Sequence, residues 1–382
     1  MKPIPYGKQE LSPADIEAVV KVLQSDFWTQ GPKIAEFEQK FAQYIGAKYA
    51  VAVANGTAAL HLSALALGVN SQSNVITSPL TFVASANCVR YCGGNVFFSD
   101  IDPETLTLDL KKVEELINSK PKGFFQGIIP VDFAGKAVNL EEFRVLANKY
   151  NLWILEDACH APGGYFIDSK GNQQLCGNGN FADLAIFSFH PVKHIACGEG
   201  GIITTNRKDL YEKLLILRTH GITKNPDLMH ENHGGWYYEM QMLGFNYRMP
   251  DILAALGISQ LERAKENLAK RRKIALRYQE AFQHHQDICL LPYDEGHAYH
   301  LFVIQTSQRK ELYDYLKTQN IFCQVHYIPV HLQPYYKHLG WKKEDFPFVE
   351  EYYEKCLSLP MYPSLTEAEQ DFVIETTLKF FK

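Results

Sequence analysis

Between Ala47 and Asn206, short apolar runs rich in β-branched residues alternate with stretches whose apolar positions recur at helical spacing. The runs Tyr49–Val53, Asn74–Thr77, Val96–Phe98, Gly127–Val131, Leu152–Leu155, Leu184–Ser188 and Gly201–Thr205 read as strands. Several are almost continuously apolar, as strands covered on both faces are, and helices fall between them, most clearly at Asp109–Ser119 and Asn139–Tyr150. The pattern predicts an α/β domain with a mostly parallel seven-stranded sheet and helices on both faces.

After Pro250 the texture changes. Asp251–Gln283 is rich in Ala, Leu, Glu, Lys and Arg with the spacing of one long amphipathic helix, expected to link two domains. Beyond it, His300–Thr306 and Ile321–Tyr327 read as strands flanking a helix at Arg309–Gln319, and Thr366 with Glu369 forms a capping box for a last helix. A small α+β domain follows from that order. The expected division is therefore 1–250 for the N-terminal segment and large domain, and 251–382 for the linking helix and small domain. The length of 382 residues agrees, since single cores stop growing near ~250–300 residues.

Composition narrows the function class. With 46% hydrophobic and 21% charged residues the chain is an ordinary globular one, and 38 Lys and Arg against 43 Asp and Glu give a net charge of −5. No strong field attracts nucleic acid or an anionic membrane, so an anionic ligand must be met by local donors. The N-terminus lacks a signal-peptide apolar core, and no stretch reaches the ~20 apolar residues of a membrane span, so a cytosolic location is expected. Eight scattered cysteines without a CxxC pair read as reduced thiols. Cys88 with Cys92, and His190 with His194, lie four apart but lack further ligands, so no metal is expected.

Catalytic groups in open α/β sheets gather at the carboxyl ends of strands. Leu152–Leu155 runs into Glu156-Asp157-Ala-Cys-His160, and Leu184–Ser188 runs into Phe-His190-Pro-Val-Lys193 and a Gly-rich turn. A lysine in such a turn is by itself a solvated surface group, and an aspartate in such a position is commonly a helix N-cap. Together they match what pyridoxal phosphate requires: an amine to hold it covalently and an anion to keep its ring nitrogen protonated. Asn55-Gly56-Thr57 ends a strand and opens a helix, where free N–H groups and a hydroxyl can face a phosphate, with Ser188 on the lysine side. Plain turn chemistry is the alternative for that tripeptide.

Motifs along nearly the whole chain, in order, carry a resemblance. They are Gly31-Pro32, Asn55-Gly56-Thr57-Ala58-Ala59-Leu60, Thr81-Phe82 through Asn87, Glu156-Asp157-Ala158, Ser188 through Lys193, Gly198-Glu-Gly-Gly201, Gly244-Phe-Asn246-Tyr-Arg-Met, Val325-His326-Tyr327 and Leu357 through Pro360. In these the chain resembles the DegT/DnrJ/EryC1/StrS family of nucleotide-sugar aminotransferases, pyridoxal-phosphate enzymes of fold type I. The resemblance implies that Lys193 carries the cofactor, Asp157 faces its ring nitrogen and Phe82 stacks on its ring. Gly56, Thr57 and Ser188 fall on phosphate-binding positions, and Asn246 on one that reaches the phosphate of the other subunit of a homodimer.

Many family members have glutamine where this chain has His160, and histidine there is similar to the branch that makes the pseudaminic acid precursor. That likeness implies contact of His160 with the cofactor's 3-oxygen, a core or cap histidine being the alternative. It implies a UDP-linked 4-keto-6-deoxy-N-acetylhexosamine as acceptor, L-glutamate as donor, and UDP-4-amino-4,6-dideoxy-N-acetyl-β-L-altrosamine as product. Tyr6, Asp26, Phe27, Trp28, Thr29, Gly56, Ser188, Asn246, Gln324, Val325, His326 and Tyr327 would line the sugar-nucleotide site. Otherwise Tyr6 is part of a loose terminus and Gln324–Tyr327 an exposed strand end. Rival readings are an aminotransferase for another ketosugar, such as a perosamine-type or aminoarabinose-type enzyme, and a non-catalytic binding protein on the same scaffold. Lys193 speaks against a sugar 3-dehydratase, in which histidine typically takes that position. Which arginine receives the glutamate carboxylate is open between Arg218 and Arg248.

Overall fold

The computed structural model describes residues 2–382. Seven strands form one sheet: β1 (Tyr49–Val53), β2 (Asn74–Thr77), β3 (Asn95–Phe98), β4 (Gly127–Ile129), β5 (Trp153–Asp157), β6 (Leu184–Ser188) and β7 (Gly201–Thr205). Their spatial order is β1-β7-β6-β5-β4-β2-β3. Every neighbouring pair is parallel except those of β7, which runs antiparallel to both β1 and β6. Six carboxyl ends and the start of β7 thus share one edge.

The strand limits differ slightly from the apolar runs. Regular pairing in β4 stops at Ile129 because Pro130 has no N–H to give, and Val131 pairs again, singly, with Asp157. Conversely β5 continues past its apolar residues: Glu156 and Asp157 stay in register with Ala185 and Ile186 of β6. Helices at Leu110–Asn118 and Leu140–Tyr150 lie where the periodicity puts them.

Helix α1 (Pro13–Leu23) and helix α2 (Pro32–Ile45) precede β1, α2 packing on one face of the sheet; helix α3 (Gly56–Ala66) follows β1 directly and packs on the opposite face. Phe37 and Phe41 of α2 meet Phe187 and Phe189 edge to face, with ring centroids 5.0–5.4 Å apart. Each such pair adds roughly 0.5–1.5 kcal/mol beyond area burial. Phe187 and Phe189 point away from the intervening Ser188, so this aromatic cluster also fixes how Ser188 is presented.

The run Asp251–Gln283 is not one helix. It is α4 (Asp251–Glu262) and α5 (Ala264–Phe282), broken at Arg263, where φ is −98° and ψ 0°. Asp15 of α1, fully buried, accepts from Ser259 Oγ at 2.6 Å and Gln260 Nε2 at 2.9 Å and pairs with the Arg263 guanidinium. That buried anion holds the last turn of α4, whose Ala254, Ile258 and Leu261 share a core with α2. Ile274, Ala275, Tyr278 and Phe282 of α5 pack in a separate core with Ile304, Leu312 and Leu357.

That second core is built on β8 (Phe302–Gln305), antiparallel to β9 (Cys356–Leu359), with α6 (Arg309–Thr318) and α7 (Glu367–Phe380). The capping box at Thr366 and Glu369 is formed. The expected strand Ile321–Tyr327 is shorter because its residues pair with two different partners. Ile321–Phe322 lies parallel to Ile4–Pro5, while Gln324 exchanges backbone bonds with Ser358. Among the described residues no helix is long and apolar enough to cross a membrane.

Candidate active site

A cavity of about 480 Å³ opens at the shared edge of the sheet. The elements that end there supply its walls: Asn55–Thr57 after β1, Thr81–Ser85 after β2, Val131 after β4, Asp157–His160 from β5, and Ser188–Lys193 from β6. Tyr6, His300, His326 and Tyr327 close it from the N-terminal segment and the C-terminal half.

Asn55 caps α3, its Oδ1 accepting the N–H of Ala58 at 2.8 Å. The remaining first-turn donors of a helix have no intrahelical acceptor and form an anion site with the positive end of the helix dipole. Gly56 is required by a close approach, since a Cβ there would come within 2.9 Å of Ser188 Cβ and 3.2 Å of its Oγ. The result is a cradle with the Ser188 hydroxyl opposite the start of α3.

Asp157 is 6% exposed. Its Oδ2 accepts from Ser85 Oγ at 2.6 Å, and Ser85 Oγ lies 2.7 Å from Thr81 Oγ1. Its Oδ1 accepts the Cys159 N–H at 3.2 Å. No helix begins at Asp157; the next element is a hairpin of Tyr165–Ile167 with Gln173–Leu175. Lys193 lies in the β6–β7 connection, its N–H donating to His190 O at 2.8 Å. Its ammonium makes no ion pair among the described residues. Burial holds the Lys193 pKa below the usual lysine value, while Cys159 and Asp157 act in the opposite direction.

His160 has a defined tautomer. The Ala134 N–H donates to its Nδ1 at 3.2 Å. The neutral ring therefore carries its proton on Nε2, which donates to Tyr327 Oη at 3.2 Å. Burial, then the charge of Lys193, hold the His160 pKa well below the usual histidine value, so the ring stays neutral. The His300 ring lies 4.3 Å from it, tilted by 37°, and burial keeps that ring neutral too. Phe82 is 58% exposed at the mouth, 6.2 Å from the Tyr327 ring.

Tyr6 is pinned, not loose: its carbonyl accepts the Met361 N–H at 2.9 Å and its ring lies 5.3 Å from His326. His326 Nδ1 is 2.8 Å from Ser358 Oγ, which ties the segment to β9.

The cavity thus gathers Tyr6, Gly56, Thr57, Phe82, Asp157, His160, Ser188, Lys193, His326 and Tyr327. Asp26, Phe27, Trp28, Thr29, Asn246, Gln324 and Val325 do not line it in the single chain, and all but Val325 are exposed. Arg218 is held by Glu38 and by Ala52 O, and Arg248 lines a separate cavity of about 250 Å³ beside Gln30 and Gly31. Ser85, Cys159, Glu199 and His300 are wall residues the sequence reading did not assign. Ser85 had a signal, as a polar residue four after Thr81 in a short segment past a strand; His300 had none.

Comparison with known proteins places this geometry. The profile described as the DegT/DnrJ/EryC1/StrS aminotransferase family matches residues 9–378. The chain is 38% identical to the spore coat polysaccharide biosynthesis protein SpsC of Bacillus subtilis, over 99% of this chain and 97% of that one. It is 36% identical to the UDP-4-amino-4,6-dideoxy-N-acetyl-β-L-altrosamine transaminase of Campylobacter jejuni, over 98% and 96%. Helicobacter pylori PseC, an aminotransferase involved in pseudaminic acid biosynthesis, superposes with a TM-score of 0.89 at 30% identity, covering 100% of this chain and 99% of that one. Spr1654 of Streptococcus pneumoniae in its PLP form superposes with a TM-score of 0.87 at 27% identity, over 98% and 97%. The residues present fit that cofactor: a phosphate cradle that a Cβ at Gly56 would fill, a half-buried lysine without an ion pair, and an aspartate held by two donors. The chain belongs to the DegT/DnrJ/EryC1/StrS aminotransferase family and is a pyridoxal-phosphate-dependent sugar aminotransferase of fold type I.

Proposed function

We propose that the chain transfers the amino group of L-glutamate to C4 of a UDP-linked 4-keto-6-deoxy-N-acetylhexosamine. The products would be UDP-4-amino-4,6-dideoxy-N-acetyl-β-L-altrosamine and 2-oxoglutarate, formed in the cytosol for pseudaminic acid synthesis. The observation that carries the choice of sugar is the contact in the cavity wall between Tyr327 and His160, the residue on which the sequence sets this branch apart. The names of relatives at 36% and 34% identity support the same reading.

Pyridoxal phosphate supplies an electron sink for the charge left when a proton leaves the reacting carbon. In this assignment Gly56, Thr57 and Ser188 bind its phosphate, Phe82 offers an aromatic face to its ring, and His160 stands toward its 3-oxygen. Asp157 holds a fixed negative charge for its ring nitrogen, oriented by Ser85 and Cys159. Lys193 Nζ anchors it, takes the proton from Cα of glutamate, and moves a proton at C4 of the sugar in the second half of the reaction. Burial favours the uncharged amine such a carrier needs. Tyr6, His326 and Tyr327 bind the sugar nucleotide, and donor and acceptor use the site in turn. Incubation with a panel of UDP- and dTDP-linked 4-keto sugars plus glutamate, followed by mass spectrometry, tests the choice. Amination of a dTDP sugar in preference to the UDP-N-acetyl sugar would replace it.

We also infer that the active unit is a homodimer in which Asp26–Thr29 and Asn246 complete the partner's site. Their exposure, and that of the large apolar residues Phe27, Trp28, Trp236 and Leu243, supports this. Mixing inactive Lys193→Ala with inactive Asn246→Asp subunits is expected to restore activity, because one site of each heterodimer keeps both intact groups. With about half the dimers mixed, recovery reaches roughly a quarter of wild type per subunit. No recovery after verified subunit exchange would remove Asn246 from the partner's site.

A further inference from the structure

Behind Asp157, on the other side of the sheet, lies an acidic pair the proposed reaction does not use. Glu156 and Asp157 are consecutive on β5, so their side chains leave opposite faces. Asp132, just past β4, joins Glu156 there, and side-chain atoms of Asp132, Glu156 and Cys176 lie within 4.8 Å of one another. The three residues are 0%, 1% and 2% exposed. Asp132 Oδ1 accepts the Val138 N–H at 2.9 Å, and both oxygens of Glu156 accept the Gly177 N–H at 3.0 Å. Asp132 Oδ2 is buried with no donor among the described residues. No lysine, arginine or histidine pairs with either acid among them.

Two bare carboxylates in that position would repel each other in a low-dielectric interior and leave one oxygen unsatisfied. A single proton between them removes both costs. The other titratable groups near enough to act on the pair are Asp157, on the opposite face of β5, Cys159 in the turn after it, and Cys176 before Gly177, and none of them is a cation. Burial, and then the neighbouring carboxylates, push the Glu156 carboxyl well above its usual range; burial likewise pushes up the carboxyl of Asp132 and the thiols of Cys159 and Cys176. Asp157, by contrast, has two donors of its own, Ser85 Oγ and the Cys159 N–H.

We propose that Asp132 and Glu156 share one proton and act as positioning residues for Asp157, keeping the proton behind the sheet while Asp157 keeps its charge toward the cavity. The mechanical link is short. The Asp132 N–H donates to Asp157 O at 3.1 Å, and the Asp157 N–H donates to Pro130 O at 2.9 Å. Loss of the shared proton sets two charges against each other directly behind Asp157, which shifts that strand end or draws a proton onto Asp157. The effect on activity rests on the role of Asp157 in the proposed function; the existence of the proton does not.

Infrared difference spectroscopy of the holoenzyme in H₂O and D₂O reads the proton directly. Wild type is expected to show the carbonyl stretch of a buried protonated carboxyl at neutral pH, and Glu156→Gln to lack it. In Glu156→Gln an amide N–H replaces the proton permanently. The alkaline limit of cofactor retention, followed by the absorbance of the bound cofactor, is then expected to rise by about one pH unit or more, a tenfold change in proton concentration. Should that variant fail to fold, Asp132→Asn serves instead, because its amide N–H likewise replaces the shared proton and the stretch is again expected to be lost. The proposal is overturned by the absence of the stretch in wild type, by an alkaline limit that does not move in Glu156→Gln, or by a stoichiometric metal ion bound to the pair.

Discussion

Lys193→Ala is expected to abolish amino transfer. The substitution removes at once the group assigned to hold the cofactor and the base assigned to move the proton, and no other lysine lines the cavity to replace it. General acid–base catalysis alone contributes up to about 10⁴-fold, and loss of the covalent anchor adds to that. Cofactor can still occupy the phosphate cradle, so the variant should bind it without the absorbance of the covalently held form. Lys193→Arg is the control for charge. It keeps a cation on a long stem, but its guanidinium does not give up its proton, so it too should be inactive. Single-turnover measurement with glutamate decides the matter, and normal turnover by either variant would end the assignment.

Asp157→Asn is expected to lower turnover by roughly 10²–10³-fold, the range seen when one preorganised electrostatic group is removed from an active site. The exchange is nearly isosteric, and the amide oxygen can still accept the Cys159 N–H, so the melting temperature should hardly change. The lost element is the charge. The Ser85 hydroxyl, which now donates to Oδ2 and lies against Thr81, would face an amide that is neutral whichever way it turns. A wild-type rate in a normally folded Asp157→Asn protein would reduce Asp157 to a residue that shapes the turn before Cys159.

The candidate site was only partly legible in the chain. Lys193 and Asp157 stood out because each follows an apolar strand by no more than a few residues, and the start of α3 because Asn55-Gly56-Thr57 is contiguous. His160 was visible as a residue; its tautomer was not, since that depends on the N–H of Ala134, at positive φ in a loop from another strand. His300 and Ser358 were silent because their partners, His160 and His326, lie far away along the chain.

Sequence by itself determined the seven strands, the helices Leu110–Asn118 and Leu140–Tyr150, and the Thr366 cap. Hydrophobic period, capping and proline chemistry are properties of neighbouring residues. Tertiary structure alone decided the break at Arg263, which has no glycine or proline and arises because buried Asp15 draws in Ser259, Gln260 and Arg263. It alone decided that Ile321–Phe322 joins Ile4–Pro5 while Gln324 joins Ser358. It also brought Asp132 beside Glu156, because only the adjacency of β4 and β5 places those carboxyls together. Strand order and through-space charge depend on which segments become neighbours, and no local pattern encodes that.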